Sequence, residues 1–520
     1  MSNVQSKPTA WSPQQRAFID WAITGKGSCV LEAVAGAGKT TTLLEAAEKM
    51  PGQVAIMAYN KKIADEIKGK LAARGCDYRK AQSGTVHSFG FSAYRKAFPD
   101  VRVDGNKVAN IVDAMLALDE AGWKSAIIGL VSLAKQSALG VVGRIDDAAA
   151  FMDIADHHEL FDDIEDEAFD PMRPVRIAIA ALKASNANTT VIDFDDMVYM
   201  PLVYKVRFWQ FDVVMVDEAQ DTNAARRALV RAALKRGGRV IAVGDSRQAI
   251  YGFTGADSDS LDLIAADFNC IRLPLTTTYR CPQAVVSFAQ QWVSHITAAA
   301  TAPVGSVSEI DAATFLTDYV DANRLNGSTA VLCRNTKPLV AFAFRLIAMD
   351  VACRVEGREI GEGLKKLASK WKSVKTTSAL RARLEKYLDR ETTKNLSAGK
   401  ESRMQAIEDQ VATLMIIIDR CEQAGQTRVS DVDARIDALF SDDVSGVLTL
   451  STIHKSKGRE WQTVFWLDRA NTCPSKWARK AWQQVQEENL CYVAATRAQN
   501  ALIELPDMSN FKRPQIAIAA

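Results

Sequence analysis

Short apolar runs recur along this chain of 520 residues, and stretches with a helical pattern separate them. The runs fall into two groups, at residues 28–34, 54–59, 211–219 and 238–245, and at residues 328–335, 446–452 and 463–468. Buried strands that alternate with helices are typical of parallel α/β sheets, because the crossover helices cover both faces of the sheet. The sequence therefore predicts two α/β regions, which are candidates for structural duplicates.

Composition and charge exclude several classes of protein. Hydrophobic residues make up 48% of the chain and charged residues 24%, which argues against disorder, collagen and a simple coiled coil. The 64 Lys and Arg residues nearly balance the 62 Asp and Glu residues, so the net charge of +2 neither requires nor excludes a polyanionic partner. Nine cysteines without a C-x-x-C pair indicate reduced thiols rather than a disulfide scaffold or a zinc ribbon. We expect no secretory signal and no membrane span, because no apolar run has the required length and position.

Two segments depart from this charge balance. Residues 146–170 hold eleven Asp and Glu residues and no Lys or Arg, inside a region at 97–190 that is mostly helical in pattern. We interpret this run as a solvated acidic face, with a docking surface for a basic partner as the alternative. Residues 365–403 hold twelve Lys and Arg residues against four Asp and Glu residues. They form either a solvated helical surface or a patch that faces phosphate.

A turn of small residues follows the first predicted strand and opens a helical pattern. Residues 33–40, AVAGAGKT, match a phosphate-binding P-loop except at Ala33, where the usual pattern has Gly. Small residues let backbone N–H groups close around phosphate oxygens, and the helix N-terminus adds positive charge. Lys39 supplies a cation for the phosphates, and the Thr40 hydroxyl can bind magnesium. The predicted cofactors are ATP and Mg2+, and this turn contributes Ala35, Gly36, Ala37, Gly38, Lys39, Thr40 and Thr41 to the nucleotide site.

A strand that ends in two carboxylates supplies the other groups that a P-loop needs. Residues 213–216 are apolar, and Asp217 and Glu218 follow them directly. Ligands of parallel sheets bind at this carboxyl edge. We predict that Asp217 holds magnesium together with Thr40, and that Glu218 polarises the attacking water.

Beyond these two segments, a series of motifs stands in the order found in UvrD/Rep-like superfamily 1 helicases. The chain resembles this family over roughly residues 11–500, which makes a chance match of all the motifs very hard to explain. The motifs are WSPQQRAF (11–18), AYNKKIADEI (58–67), GTVHSFGF (84–91), IDFDDM (192–197), VDEAQDTN (216–223), GDSRQAIYGFTGA (244–256), TYRCP (278–282), STIHKSKGREW (451–461) and LCYVAATRA (490–498).

The resemblance implies further roles at the nucleotide. Gln15 would read the adenine base and Tyr279 would stack on it, while Glu460 would accept hydrogen bonds from the ribose hydroxyls. Arg280 and Arg497 would reach the γ-phosphate and offset charge in the transition state, as an arginine finger does. The implied set is completed by Gln248, which would sense the γ-phosphate and connect it to the DNA strand, and by Gly458. For a single Arg without this motif context, a surface ion pair is the favoured interpretation.

The resemblance also implies a set of residues that bind single-stranded DNA. Such sites combine aromatic platforms with backbone donors. The implied residues are Asn60, Lys61, Thr85, His87, Phe89, Tyr251, Phe253 and His454. For Phe89 and Phe253, packing in the core is the alternative.

Three features depart from the family pattern. Thr254 stands where the family has Arg, so a charged contact near the DNA-coupling loop is missing. Thr277 and Thr278 replace polar residues that usually end in Asn, which predicts a differently capped turn. Only residues 360–445 separate the EGRE segment from the strand at 446–452, where typical members carry a much larger accessory domain.

We therefore predict an α/β protein with two RecA-like P-loop NTPase domains that contain parallel sheets and carry helical insertions. The first domain takes residues 1–95 and 191–270, around a helical insertion at 96–190. The second takes residues 271–364 and 445–520, around a reduced, basic accessory insertion at 365–444.

The resemblance implies an ATP-dependent translocase on single-stranded DNA and a DNA helicase that moves 3′ to 5′. Two alternatives stay open: an ATP-driven motor that displaces proteins from DNA with little unwinding, and a DNA-binding scaffold with an inactive ATPase. The reduced accessory insertion favours the former, and the intact Lys39, Asp217 and Arg497 argue against the latter. A helicase–nuclease fusion is disfavoured, because no carboxylate-rich segment follows residue 500.

The expected partners are single-stranded DNA and forked or tailed duplex DNA. We expect no membrane partner and a monomer, and the sequence does not identify a protein loading partner. The expected location is the cytoplasm of a bacterial cell or of a phage-infected host.

Overall fold

The computed structural model describes residues 10–508, apart from residues 163, 165–168, 253–254, 256–258, 348, 350, 372, 398–400 and 441–445. The chain divides into two compact units, Met1–Thr276 and Thr277–Ala520. Each unit contains a six-stranded sheet in which all the paired strands are parallel. The predicted α/β class, with parallel sheets in two domains, is confirmed. The finer domain boundaries stay predictions.

The first unit alternates strands and helices around its sheet. Its elements are α1 (Pro13–Thr24), β1 (Ser28–Ala33), α2 (Lys39–Lys49), β2 (Val54–Ala58), α3 (Lys61–Ala73), β3 (Ala81–Thr85), α4 (Val86–Ala97), β4 (Arg102–Val103), α5 (Lys107–Asp113), α6 (Lys124–Gln136), α7 (Ala148–His157), α8 (Met172–Ala187), β5 (Val191–Ile192), α9 (Asp196–Val203), β6 (Phe211–Val216), α10 (Ala224–Ala232), β7 (Leu234–Gly244), α11 (Ser260–Asp267) and β8 (Cys270–Leu275). Short 3-10 helices occupy Leu118–Trp123, Ala219–Asp221 and Ser246–Gln248.

The strands of the first sheet stand in the order β3-β2-β6-β7-β1-β8. The four interior strands are the four that the apolar runs predicted, and most of their residues are buried. The sequence did not predict the edge strands β3 and β8. Their sequences, AQSGT and CIRLPL, contain polar residues or proline, because an edge strand is half-exposed. β7 lies between β1 and β6, so the loops after these three strands meet at one edge of the sheet.

A helical layer with its own core fills most of the region between α4 and β6. Apolar side chains from α4 to α9 form this core, including Tyr94, Leu130, Phe151 and Leu182. The sequence predicted no clear strand at 97–190, yet the two-residue strand β4 lies in this region and pairs in parallel with β5. The pair is too short and too exposed on β4 to leave an apolar signature in the sequence.

Four buried charges tie α5 and α6 of the helical layer to the start of α9 and the segment before it. Lys135 of α6 lies 2.6 Å from Asp193 and 2.7 Å from Asp196, and Lys107 of α5 lies 2.6 Å from Asp196. The side chains of both lysines and of Asp196 are at most 2% exposed. A buried charge is tolerated only when an opposite charge lies beside it. The two lysines and two carboxylates meet this requirement as a neutral set.

The second unit repeats the alternation of strands and helices. Its elements are β9 (Thr277–Thr278), α12 (Gln283–Ala289), β10 (Thr297–Ala298), β11 (Ser306–Glu309), α13 (Ala312–Phe315), a π-helix (Leu316–Asp321), β12 (Thr329–Cys333), α14 (Thr336–Ile347), β13 (Cys353–Val355), α15 (Arg358–Ala368), α16 (Thr377–Ser397), α17 (Glu401–Gln423), α18 (Val429–Leu439), β14 (Leu448–Thr452), α19 (Ile453–Ser456), β15 (Trp461–Leu467), α20 (Arg469–Thr472), α21 (Ala481–Ala495) and β16 (Ala498–Leu505). The main sheet has the order β11-β16-β15-β12-β14-β13.

The accessory helices share one core with the second sheet. Leu384 of α16, Ile418 of α17 and Ile436 of α18 belong to the same buried cluster as Phe342 of α14 and Phe465 of β15. The predicted accessory insertion is therefore helical, and it is continuous with the core of the second unit. Among the helices that the described residues form, none has the length and apolarity that crossing a membrane demands.

One local arrangement occurs in both units. Thr85 ends β3 and caps α4, and Thr452 ends β14 and caps α19; each hydroxyl accepts a hydrogen bond from the backbone N–H three residues later. A histidine stands two residues after each capping threonine, at His87 and His454. The repeat supports the expectation that the two α/β regions are structural duplicates.

We predict that Lys135→Ala lowers the free energy of unfolding of the first unit by about 3–5 kcal/mol, because Asp193 and Asp196 lose a buried partner. Urea unfolding followed by circular dichroism measures the change. Lys183→Ala is the control, because this helical-layer lysine is 50% exposed and lies 3.9 Å from Asp146. The control should stay within about 0.5 kcal/mol of the parent. Equal losses in the two variants would contradict the role of the buried set.

Candidate nucleotide and DNA sites

The turn between β1 and α2 is built to receive an anion. Gly36 and Gly38 have φ angles of 72° and 78°, a left-handed backbone that favours glycine. Gly38 occupies the N-cap of α2 and offers no side-chain cap, so the N–H groups of the first turn are open to an acceptor from outside. This geometry fits the phosphate role that the sequence predicted for residues 35–41.

Lys39 and the two carboxylates after β6 meet at the edge of the sheet. Lys39 Nζ lies 3.0 Å from Glu218 Oε2. Burial alone would lower the pKa of Lys39, but the nearby Glu218, Asp245 and Asp217 carboxylates outweigh it and raise that pKa. Burial raises the pKa of Asp217 to about 6, and Glu218 adds to the rise, while Lys39 and a hydrogen bond with Thr40 oppose it. The predicted catalytic lysine and carboxylates thus lie together in one largely buried cluster.

Thr40 and Asp217 form a donor set that suits magnesium. A hydroxyl and a carboxylate are oxygen ligands, which magnesium prefers, and magnesium usually keeps several waters beside one or two carboxylates. Asp217 is 3% exposed, and its hydrogen bond with Thr40 shows that the two side chains point to one place. The metal assignment to these two residues stays a prediction that the donor chemistry fits.

A chain of amides links the predicted base to the predicted γ-phosphate sensor. Gln220 Nε2 donates to Glu218 Oε2 at 2.6 Å, and Gln220 Oε1 accepts from the backbone N–H of Asp245 at 3.1 Å. Gln248 Nε2 in turn donates to Asp245 Oδ2 at 2.7 Å. Glu218 has a left-handed backbone with a φ of 51°, so it departs from the extended conformation of β6. Sequence reasoning named Glu218 and Gln248 but missed Gln220 and Asp245, although both lie inside the quoted motifs.

Gln15 supports the P-loop in this structure. It is 6% exposed, its Oε1 accepts from the Ser12 backbone at 3.1 Å, and its Nε2 donates to the Ala37 carbonyl at 3.3 Å. The capping box of α1 therefore fixes the side chain beside the phosphate turn. Reading of adenine by Gln15 stays a prediction.

In the second unit, Arg280 and Arg497 lie near each other. Arg280 Nε donates to Glu460, whose other oxygen accepts from Gln499 Nε2 at 2.8 Å. Arg497 is fully buried, and its guanidinium donates to the carbonyls of Val493 at 2.9 Å and Arg459 at 3.1 Å. Burial lowers the pKa of Arg497 to about 10, with a further contribution from Arg280, so the side chain stays charged at neutral pH.

The other predicted nucleotide residues of the second unit have distinct positions. Tyr279 is 51% exposed, so its ring is free to stack on a ligand. Gly458 has a φ of 81°, which explains the glycine. Thr277 and Thr278 form β9, and the Thr278 hydroxyl accepts from the backbone of Arg280 at 3.3 Å and of Cys281 at 3.4 Å. The turn that leads to Arg280 is therefore capped by threonine.

Several predicted DNA residues cluster at the carboxyl ends of β2 and β3. Asn60 caps α3 by accepting from the Ile63 backbone at 2.9 Å, and Thr85 caps α4 by accepting from the Ser88 backbone at 3.0 Å. Lys61 is exposed at the first turn of α3. Burial lowers the pKa of His87 to about 4, with a smaller effect from Arg226, so its imidazole is neutral at pH 7.

The predicted aromatic platforms differ in accessibility. Tyr251 stacks on Tyr59 with ring centroids 5.9 Å apart and planes 4° apart. Phe89 is partly buried against the core with its ring edge-on to Phe211, and its role in DNA binding stays a prediction. Phe253 and Thr254 lie outside the described residues.

His454 lies in the second unit and is half-buried. Burial lowers the pKa of its imidazole to about 3, with further effects from nearby Arg334, Lys457 and Lys455. Like His87, this histidine is therefore neutral at pH 7 and can both donate and accept one hydrogen bond.

Sequence reasoning did not single out three further residues that have exposed or stacked aromatic or cationic groups. Phe194 is 64% exposed, Arg226 lies over the Tyr59 ring at 5.3 Å, and Tyr59 itself stacks on Tyr251. Tyr59 and Phe194 belong to quoted motifs, so an exposed aromatic residue within a motif was the available signal. No local pattern marked Arg226, because its position over Tyr59 depends on the tertiary fold.

Comparison with known proteins agrees with this geometry. Residues 11–269 match the UvrD/REP helicase N-terminal domain, and residues 357–504 match the UvrD-like helicase C-terminal domain. The chain belongs to the UvrD/Rep-like helicase family. The chain is thus a relative of ATP-dependent DNA helicases. The family prediction that was based on the order of the motifs is confirmed.

The relatives are distant, and they are longer than the matched region. The chain is 25% identical over 313 residues to the ATP-dependent DNA helicase Rep of Escherichia coli (strain K12), covering 52% of this chain and 41% of the relative. It is 24% identical over 339 residues to the probable DNA helicase II homolog of Mycoplasma pneumoniae, covering 61% and 46%. It is 23% identical over 290 residues to the ATP-dependent DNA helicase PcrA of Leuconostoc citreum, covering 52% and 38%. The chain thus spans less than half the length of these curated relatives.

We predict that Glu218→Gln lowers the rate of ATP hydrolysis by about 10^2- to 10^4-fold, because the base that orients water is lost. ATP binding should persist or tighten, since Lys39 no longer pairs with a carboxylate at 3.0 Å. Phosphate release and equilibrium nucleotide binding measure the two effects. Glu66→Gln, on an exposed position of α3, is the control and should behave like the parent. Hydrolysis at the parent rate in Glu218→Gln would remove this residue from the base role.

Proposed function

We propose that the protein is an ATP-dependent translocase on single-stranded DNA with DNA helicase activity, and that it moves 3′ to 5′. One observation carries the proposal. Lys39, Thr40, Asp217 and Glu218 converge at the same sheet edge where Asn60, Thr85 and Tyr251 gather. This sheet edge therefore combines a phosphate site with groups suited to a nucleic acid strand. The direction of movement rests on the family resemblance alone.

The chemistry follows from the residues of the first unit. Incoming phosphates compete for Lys39, and this competition would release Glu218 from its ion pair to orient the attacking water. Magnesium, held by Thr40 and Asp217, would neutralise charge on the phosphate oxygens. Gln220 holds Glu218 and also the backbone of Asp245, so a change at the base would reach the sensor Gln248 through three hydrogen bonds.

Residues of the second unit would complete hydrolysis. Two guanidinium groups, Arg280 and Arg497, are held at one place by backbone carbonyls and by Glu460. Positive charge fixed in advance stabilises a phosphoryl transition state without reorganisation. The family resemblance implies that this pair would supply positive charge to the γ-phosphate.

In the proposed DNA site, exposed or half-exposed rings would stack on bases. The capped N-termini of helices would contact phosphates. Tyr251 and Phe194 offer ring faces or edges, and the first turns of α3 and α4 carry backbone N–H groups and the cation Lys61. The same groups would serve a motor that strips proteins from DNA. A monomeric state, a cytoplasmic location and the expected forked substrate stay predictions.

We predict that single-stranded DNA stimulates ATP hydrolysis and that Lys39→Ala lowers the stimulated rate by at least about 10^2-fold, because a cation on the phosphates is lost. The matched control is Lys49→Ala on the same helix, whose side chain is 50% exposed and pairs with Glu45. Phosphate release with and without DNA measures the rate. An absence of DNA stimulation in the parent protein would overturn the proposed function. A forked-duplex assay beside a protein-displacement assay then distinguishes the helicase from the displacing motor.

The basic accessory region is less positive than its sequence suggested. Lys365 pairs with Asp437, Arg381 pairs with Asp419 and Glu422 at 2.6 and 2.8 Å, and Lys370 lies 4.0 Å from the centre of the Tyr387 ring. These cations stabilise the packing of the accessory helices. Among the described residues of α15, α16 and the loop between them, the exposed basic side chains with neither an ion pair nor an aromatic neighbour are Lys366, Lys375, Arg383 and Lys386.

We predict that neutralising these four exposed residues together weakens binding to forked DNA and flattens its salt dependence. The log–log slope should fall by up to about 0.9 for each DNA phosphate that the variant no longer neutralises. Lys365→Ala combined with Arg381→Ala is the control, because those charges are already paired. Binding isotherms over a range of salt concentrations give the slopes. An unchanged slope in the fourfold variant would identify the region as a solvated surface, and ATPase activity on saturating single strands should not change in either case.

A further inference from the structure

The turn between α19 and β15 holds the two guanidinium groups that the resemblance assigns to the γ-phosphate. The backbone carbonyl of Arg459 accepts from Arg497 Nη1 at 3.1 Å, and the carboxylate of the next residue, Glu460, accepts from Arg280 Nε. Gly458 bends the turn with a φ of 81°. The positions of both guanidinium groups therefore depend on where this turn lies relative to the second sheet.

A carboxylate from another part of the sheet fixes the turn. The guanidinium of Arg459 pairs with Glu356, which directly follows β13. Glu356 is 5% exposed, and its backbone N–H donates to the Leu450 carbonyl of β14 at 2.7 Å. The carboxylate is thus anchored to a strand, whereas the turn belongs to a loop, and loops are less constrained than the strands that they connect.

The two oxygens of the Glu356 carboxylate are used unequally. Arg459 Nη1 and Arg354 Nη2 both donate to Oε1, the latter at 3.2 Å. The other oxygen, Oε2, is buried and accepts no hydrogen bond from the residues that the structure describes. An unsatisfied buried oxygen lowers stability, so an apolar side chain would serve packing better at this position. The carboxylate is therefore explained by what it holds rather than by the stability that it provides.

Without this carboxylate, the Arg459 side chain would not stay in place. It is 43% exposed, and Glu356 is the only carboxylate within ion-pair distance of it in the described part of the chain. Burial lowers the pKa of Arg459, and the nearby positive charge of Arg354 lowers it further. Removing the negative charge between the two guanidinium groups would leave a repulsion that drives Arg459 towards solvent.

We propose that Glu356 is a positioning residue for ATP hydrolysis, and that it acts through Arg459 on Arg280 and Arg497. The inference rests on the proposed function, since it requires these two guanidinium groups to act on the γ-phosphate. When Glu356 holds the Arg459 side chain, the Arg459 carbonyl and the Glu460 carboxylate keep the two donors in place before ATP binds. Positive charge that is fixed in advance stabilises a transition state without reorganisation.

Steady-state kinetics on saturating single-stranded DNA tests this role. Glu356→Gln keeps the size of the side chain and removes its charge. We expect kcat for ATP hydrolysis to fall at least about fivefold, while KM for ATP changes less than about twofold. Glu504→Gln is the matched control, because Glu504 forms a partly buried ion pair with Arg469 in the same unit, and it should keep the parent kcat. A parent kcat in Glu356→Gln would overturn the proposal.

A double-mutant cycle shows whether Glu356 acts through Arg459. Arg459→Gln should reduce kcat about as much as Glu356→Gln, and the double variant should be no slower than the slower single variant. Arg459→Lys keeps a cation beside the carboxylate, so it should recover part of the activity that Arg459→Gln loses. Losses that multiply in the double variant would mean that the two residues act independently, and would contradict the proposed route.

Nucleotide analogues supply a readout that a purely structural role would not change. The complex of ADP with aluminium fluoride mimics the phosphoryl group in the transition state, whereas a non-hydrolysable ATP analogue mimics the ground state. In Glu356→Gln, affinity for the first should fall at least about fivefold, and affinity for the second should stay within about twofold of the parent. Equal weakening of both would make Glu356 a structural residue only.

Two further outcomes separate the inference from the function on which it rests. Thermal unfolding shows whether each variant folds, and Arg459→Gln, which changes an exposed side chain, decides the test if Glu356→Gln does not fold. DNA-stimulated hydrolysis in the parent together with parent kinetics in the variants would leave the proposed motor intact and remove only the positioning role. A parent protein without DNA-stimulated hydrolysis would overturn the motor and the inference together.

Discussion

A largely buried lysine that needs a negative partner organises the first unit. Lys39 lies at the start of α2, and in this structure Glu218 matches its charge at 3.0 Å, with Asp217 and Asp245 nearby. One cation and several carboxylates are stable in such a place only if they face one another or face a ligand. The parallel sheet satisfies this demand because the ends of β1, β6 and β7 meet at one edge. The same balance makes the site responsive, since phosphates compete with Glu218 for Lys39.

The parts of the fold that could be predicted are those whose physics is local. Interior strands such as β2 and β12 are apolar along their whole length, because helices cover both faces of a parallel sheet. Small residues between a predicted strand and a predicted helix indicate the phosphate turn. Edge strands such as β3 and β8 could not be predicted, because solvent on one side permits polar residues and erases the pattern.

In the candidate site, too, the features that could be predicted are those that depend on local sequence. Lys39, Asp217 and Glu218 stand at fixed offsets from their strands, so their meeting could be inferred. The positions of Arg226 over Tyr59 and of Lys135 between two aspartates depend on how the helical layer packs, and no local pattern encodes such neighbours. The net charge of residues 365–403 was a poor guide for the same reason. Counting charges ignores ion pairs such as that of Arg381 with Asp419, which form only after α16 and α17 pack together.

The shared core of the second unit has a consequence for how this chain compares with its longer relatives. Leu384, Ile418 and Ile436 of the accessory helices are buried with Phe342 and Phe465 of the sheet layer. A segment that contributes to the main core cannot be removed or exchanged like a module, because its loss would expose apolar surface of the sheet layer to water. Grafting a larger accessory domain onto this chain would require a redesigned interface along α14. The accessory helices are thus an integral part of the core of the second unit.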